Sequence, residues 1–134
     1  MSHFTRVRTT LRDPQLLASA LQAVGYAEVE VHDSPQGLRG WGGQSARAEV
    51  IVRREHATGH VFGDFGFARG PDGAFEAVID DLDRARNGAG WLPGLTRAYG
   101  HAAALKYAKD HGYEVVTDEE EHDGTRRLTL RRHT

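Results

Sequence analysis

Apolar residues recur along this chain at two periods, and the switches between them divide it into elements. Leu17, Ala20, Leu21 and Val24 fall at i, i+3, i+4 and i+7, the stripe of an amphipathic helix. Asp13-Pro14 supplies its N-cap and first-turn proline, and Gly25 stops it. A second helix is predicted from near Pro93 to Gly112, with Leu95, Ala98, Ala102 and Leu105 on one face. Between the helices the period drops to two: Ala46, Ala48, Val50 and Val52 alternate with Arg47, Glu49, Ile51 and Arg53. Further strands are expected over residues 4–9, 26–31, 60–68 and 75–80, the last two joined by the turn Gly70-Pro71-Asp72-Gly73. Residues 115–117 and 126–131 form a closing hairpin around Asp123-Gly124.

Both helices stop in the same way. Gly25-Tyr26 and Gly112-Tyr113 each follow an apolar stripe, and glycine tolerates the left-handed conformation that turns a helix end into a strand. The repeated unit predicts an α+β domain spanning residues 1–134: an antiparallel sheet with two helices on one face, an elaborated ferredoxin-like (split βαβ) arrangement with an inserted β-meander. Ser34 to Gly43 contains Gly37, Gly40, Gly42 and Gly43 and is expected to be a loop, and residues 81–91 a long surface connection.

At 134 residues the chain can bury about two-thirds of its unfolded surface without staples. Its 39% hydrophobic and 27% charged residues are those of a globular protein. The absence of cysteine removes disulfides, thiolate ligands and Cys nucleophiles, and fits a reducing compartment, so a cytoplasmic location is expected. No apolar run approaches the roughly 20 residues that span a bilayer, and Arg6 and Arg8 break any signal-like start. A net charge of -2 gives no global attraction to nucleic acid.

The opening Met1-Ser2-His3-Phe4, the helix end Leu21-x-x-x-Gly25-Tyr26, the strand Asp64-Phe65-Gly66-Phe67, and then Trp91, Tyr99 and Gly112-Tyr113 occur in a familiar order. In these the chain resembles the conserved hypothetical chloroplast reading-frame proteins of cyanobacteria and plastids, frame thirty-five (ycf-type), and their bacterial relatives of unknown function. The resemblance implies a small cytoplasmic or stromal protein, in bacteria often encoded near ring-forming ATPases. It carries over no catalytic residue and no cofactor.

The residues themselves offer three kinds of site. Trp41 beside Arg39 in the glycine loop suits a protein contact, since Trp and Arg are favoured interface anchors; packing of Trp41 back over the sheet is the alternative. Arg127 and Arg131 share the outer side of the last strand, with Leu128 and Leu130 expected to face the core; were Arg6 and Arg8 nearby, the arginines would merge into a basic patch. Asp64, and the pair Asp80 and Asp81 with Asp83 and Glu76, could hold a hard cation, but an exposed carboxylate is the plainer reading of each. The eight histidines are scattered. His56 and His60 stand four apart outside any expected helix, and His101, one turn after Arg97, is the one placed to face a partner. No nucleophile elbow or phosphate-binding glycine motif occurs.

These features favour a non-catalytic accessory or adaptor protein that binds a larger protein, with a ring-forming ATPase as the partner the resemblance implies. A metal-assisted hydrolase or small-molecule enzyme using Asp64, Asp80 and Asp81 is the alternative. Nucleic-acid binding through the arginine strand ranks third, because no aromatic platform accompanies it.

Overall fold

In the computed structural model of the protein, residues 4–40, 45–56, 63–81, 83 and 90–132 are described. Strands β1 (Phe4–Arg8), β2 (Glu30–Arg39), β3 (Ser45–Val52), β4 (Phe65–Arg69) and β5 (Phe75–Asp80) form one antiparallel sheet in the order β1-β5-β4-β3-β2. Helix α1 (Pro14–Ala23) carries the chain from one edge of that sheet to the other, after which β2 to β5 run back as a meander. Helix α2 (Trp91–Asp110) follows, and β6 (Tyr113–Glu120) and β7 (Arg126–Arg132) pair with each other in a sheet of their own. The class is α+β: among the described residues an antiparallel sheet is accompanied by the helices α1 and α2. Because β6 and β7 do not return to the first sheet, the split βαβ comparison extends no further than that class.

Alternation along the strands gives the main sheet two apolar faces. On one, Val50, Val52, Phe65, Phe67, Phe75, Ala77 and Ile79 pack beneath Leu17, Ala20 and Leu21 of α1 and Leu95 of α2. Leu38, Ala48, Ile51, Ala68 and Val78 form a smaller cluster on the other. The second face closes because Gly66, between Ile51 and Val78 in register, has no side chain: a Cβ there would lie 2.7 Å from the Ala48 Cβ and from the Val50 carbonyl oxygen.

The helix ends are built as the sequence predicts. Asp13 caps α1 by accepting the N–H groups of Gln15 (2.9 Å) and Leu16 (3.1 Å), and Gly25 and Gly112 have φ of +114° and +72°.

Several boundaries differ from the sequence expectation. Residues 26–29 are not strand: Tyr26 is drawn into the core edge-on to Phe65, its hydroxyl accepting the Trp91 indole N–H at 2.9 Å. The glycine-rich stretch expected as a loop is strand as far as Arg39, with Gln36 to Arg39 in register against Ala48 to Ser45 after an irregularity between Val31 and Gln36. The fourth strand begins at Phe65 rather than residue 60, and α2 begins at Trp91, two residues before Pro93, because the Trp91 ring packs against Phe65 and Phe67. Trp41 and His60 lie outside the described residues.

Candidate functional site

Asp64 immediately precedes β4 and is fully buried. Its Oδ2 accepts the Arg39 backbone N–H (2.7 Å), Arg39 Nε (3.1 Å) and Arg53 Nη1 (3.1 Å), while Oδ1 accepts Arg39 Nη2 (3.0 Å) and the Arg54 backbone N–H (2.8 Å). The Asp64 N–H in turn donates to the Arg39 carbonyl at 2.8 Å. Beyond this node Arg39 meets Glu55 (2.6 Å), Arg53 meets Glu30 (2.9 Å), and Glu30 meets His32 (2.8 Å). The network joins the end of β2, the end of β3 with its short 3-10 turn Arg54–His56, and the start of β4. Burial pushes the Asp64 carboxyl up, but the two guanidiniums and two backbone donors outweigh it and hold the group below the usual carboxylate range. A carboxylate with both oxygens so occupied is a structural node. It has no lone pair aimed at a cation, and Arg39, offered by the sequence as a partner contact, has its guanidinium fork engaged by Asp64 and Glu55.

The second acidic group divides by environment. Asp80 closes β5 opposite Phe4 and is buried; its Oδ2 lies 3.3 Å from where a Cβ on Gly40 would stand. Asp83, also buried, accepts the Gly63 N–H at 2.9 Å, so part of the expected surface connection is tied to the sheet end. Asp81 accepts the hydroxyl hydrogen of Thr5. Among the described residues no three His, Asp or Glu side chains are placed to share a metal ion.

The hairpin sits on α2 and has two unlike sides. Glu114, Thr117, Glu119, Arg127, Thr129 and Arg131 share the outer face, where Arg131 pairs with its cross-strand neighbour Glu114 (2.8 Å); Arg127 reaches Glu121 (2.8 Å). Tyr113, Asp118, Arg126 and Leu128 turn toward the helix: the Tyr113 ring stacks near Tyr107 (6.3 Å), and Asp118 takes both His101 (2.8 Å) and Arg126 (3.1 Å). The hydrogen bond from Arg126, and then that with His101, hold the Asp118 carboxyl below its ordinary range. Arg127 and Arg131 therefore face outward, as alternation requires, and Leu128 is half-buried against the helix. Leu130 departs from the expectation of a core residue. It is 36% exposed and paired with Val115, itself 37% exposed, while Val116 at the register irregularity is 49% exposed. The arginines of β1 and β7 stand in different sheets, and Arg6 pairs with Glu76 (3.3 Å).

Sequence reasoning missed the partners of these residues. Arg53, Glu30 and Asp118 carry no motif; only the alternation that sets Arg53 opposite in phase to Val52, and the spacing of Arg97 and His101, pointed toward them.

The family model described as "Protein of unknown function (DUF1257)" matches residues 20–129, which include the Asp64 network, both helix corners and most of the hairpin. The chain belongs to that family. It is 24% identical over 135 residues to "Uncharacterized protein ycf35" of Cyanophora paradoxa and 25% identical over 133 residues to the protein of the same name from Guillardia theta, covering 98% of this chain and of the relative in each case. No solved structure matches. The DUF1257 match thus covers the elements that build the site and carries no activity with it. No helix among the described residues is long and apolar enough to cross a membrane.

Proposed function

We propose that this protein is a non-catalytic accessory protein of the cytoplasm that docks on a larger protein through the outer face of its β6–β7 hairpin. One observation carries the reading: the hairpin is a separate two-stranded sheet whose outer face, from Glu114 to Glu119 and from Arg127 to Arg131, no described element covers. The hairpin is supported on one side by α2, and its open edges and uncovered outer face leave backbone groups and side chains that a partner strand or surface can meet. Arg127 and Arg131 supply the charged anchors of that face, each already beside a carboxylate, and Val116 at the register irregularity adds exposed apolar surface to the hairpin. A ring-forming ATPase, the partner class that the family resemblance implies, is the larger protein proposed.

The enzymatic alternative lacks a comparable observation, because Asp64 is saturated by donors and Asp80 is enclosed beside Phe4 and Gly40. The test is affinity purification of the tagged protein from its native host beside the double variant Arg127→Glu/Arg131→Glu. A larger protein co-eluting in near-stoichiometric amount with the wild type, and lost with a normally folded double variant, supports docking. Equal recovery with both proteins overturns it.

A further inference from the structure

The contact between α2 and the hairpin is incompletely filled, and its shape is specific. Although α2 has 20 residues, only Leu95 and Ala108 are fully buried, and Gly100 and Ala104 occupy the side turned to β7. Small residues there leave the hairpin standing off the helix. Two cavities of about 280 and 480 Å³ result, both lined by Arg97, His101 and Arg126. Ala23, Val24 and Ala98 add apolar wall to the first, Ala104 and Leu128 to the second. The larger lies within the range of small-molecule sites.

The charges around the crevice are unevenly matched. Asp118 neutralises Arg126 and also holds His101, and Glu120 stands 3.7 Å from Arg126. Arg97 has neither a hydrogen bond nor an ion pair among the described residues. Its guanidinium lies against the hairpin turn, where Gly124 (φ +86°) makes room: a Cβ at that position would come 3.0 Å from Arg97 Nε. Asp123 feels this cation without bonding to it. The crevice therefore has an apolar floor and, at its exposed rim, a guanidinium whose donors no described group accepts.

From this juxtaposition we infer that the crevice between α2 and the hairpin binds a small amphipathic anion, its apolar body on Ala104 and Leu128 and its carboxylate or phosphate on Arg97. The guanidinium fork matches either head group bidentately. The apolar body separates this ligand from a free inorganic ion, which would leave the floor unfilled. The site is distinct from the outer face of the hairpin and independent of docking there.

The isolated protein is titrated with 1-naphthoate and octyl phosphate, and in parallel with 1-naphthalenemethanol, octanol and inorganic phosphate, by calorimetry and by amide chemical shifts. At least one amphipathic anion is expected to bind once per chain with a Kd below about 1 mM. Its shifts should centre on Gly100, His101, Ala104 and Leu128, and its neutral counterpart should bind about tenfold more weakly. Arg97→Gln should reproduce that loss, Ala104→Trp should block the site, and Arg127→Gln on the outer face should change nothing. The inference is overturned by absence of saturable binding to wild type, by equal affinity for anion and alcohol, by shifts centred elsewhere, or by an Arg97→Gln variant that binds as wild type does. If the amphipathic anions and inorganic phosphate bind alike, the apolar floor plays no part and the inference fails.

Discussion

Asp64 and Arg39 are joined three times by Arg39 donors, at 2.7 Å from its backbone N–H, 3.1 Å from Nε and 3.0 Å from Nη2, and a fourth time by the Asp64 N–H on the Arg39 carbonyl. Main chain and side chain of two residues 25 apart in sequence are thereby locked together. With Arg53 on the same carboxylate, the node fixes the ends of three strands.

Removing that carboxylate leaves Arg39 and Arg53 without their shared buried partner and exposes two backbone donors to an apolar side chain. Asp64→Ala should cost about 3 kcal/mol or more in chemical denaturation. A loss under about 1 kcal/mol would mean that the arginines rehydrate freely and that the node is not structural.

The same group makes stability depend on acid. Its folded-state pKa lies below its unfolded value, so its contribution is complete above the unfolded pKa of about 4 and disappears as pH falls through the lower, folded value. Glu30, also held low by Arg53, adds in the same direction. Denaturation midpoints measured from neutral pH down to strong acid should fall for the wild type, and less steeply for Asp64→Asn. Parallel acid limbs for the two proteins would remove Asp64 from the account.

Gly66 permits the close approach of Ala48 and Leu38 on the second face of the sheet. In Gly66→Ala the new methyl meets backbone as well as side chain, so the strand itself must move, at a cost of about 1–3 kcal/mol. A melting temperature equal to wild type would show that β3 and β4 are not packed as described.

The corner at Gly112, with φ +72°, has open space around it, so only backbone strain opposes substitution. Gly112→Ala should destabilise by about 1 kcal/mol and Gly112→Val by more, since a β-branched residue resists the left-handed region further. Melting temperatures in the order Gly, Ala, Val confirm the corner; coincident melts contradict it.

What the sequence made readable follows from how local the governing physics is. Helix α1 with its Asp13 cap, the left-handed glycines at Gly25 and Gly112 and the hairpin around Gly124 depend on residues within a turn or two of each other, and the structure agrees with each; the strand expected directly after Gly25-Tyr26 starts only at Glu30, because Tyr26 is drawn into the core. The run from Ser34 to Arg39 was misread because its proline and glycine argue for a loop, whereas pairing to Ala46 and Ala48 across the sheet overrides local propensity. Asp64 was misread for a related reason: three of its five donors come from Arg39, 25 positions away, and no spacing rule encodes that distance. Arg127 and Arg131 were placed correctly by period two alone. Leu130 was not, because alternation assigns a side but does not say how completely that side is covered.

The most direct measurement of the docking claim is a photo-crosslinking comparison in host cells, with a photoreactive residue placed at Thr129 on the outer face of the hairpin or, as a control, at Asp33 on the exposed part of β2. Both positions are exposed, so both report any neighbour that comes close. A single larger protein adduct from position 129, absent from position 33 and lost in the Arg127→Glu/Arg131→Glu background, is the predicted result. Adducts from position 33 with none from position 129 would place the docking surface elsewhere and contradict the account.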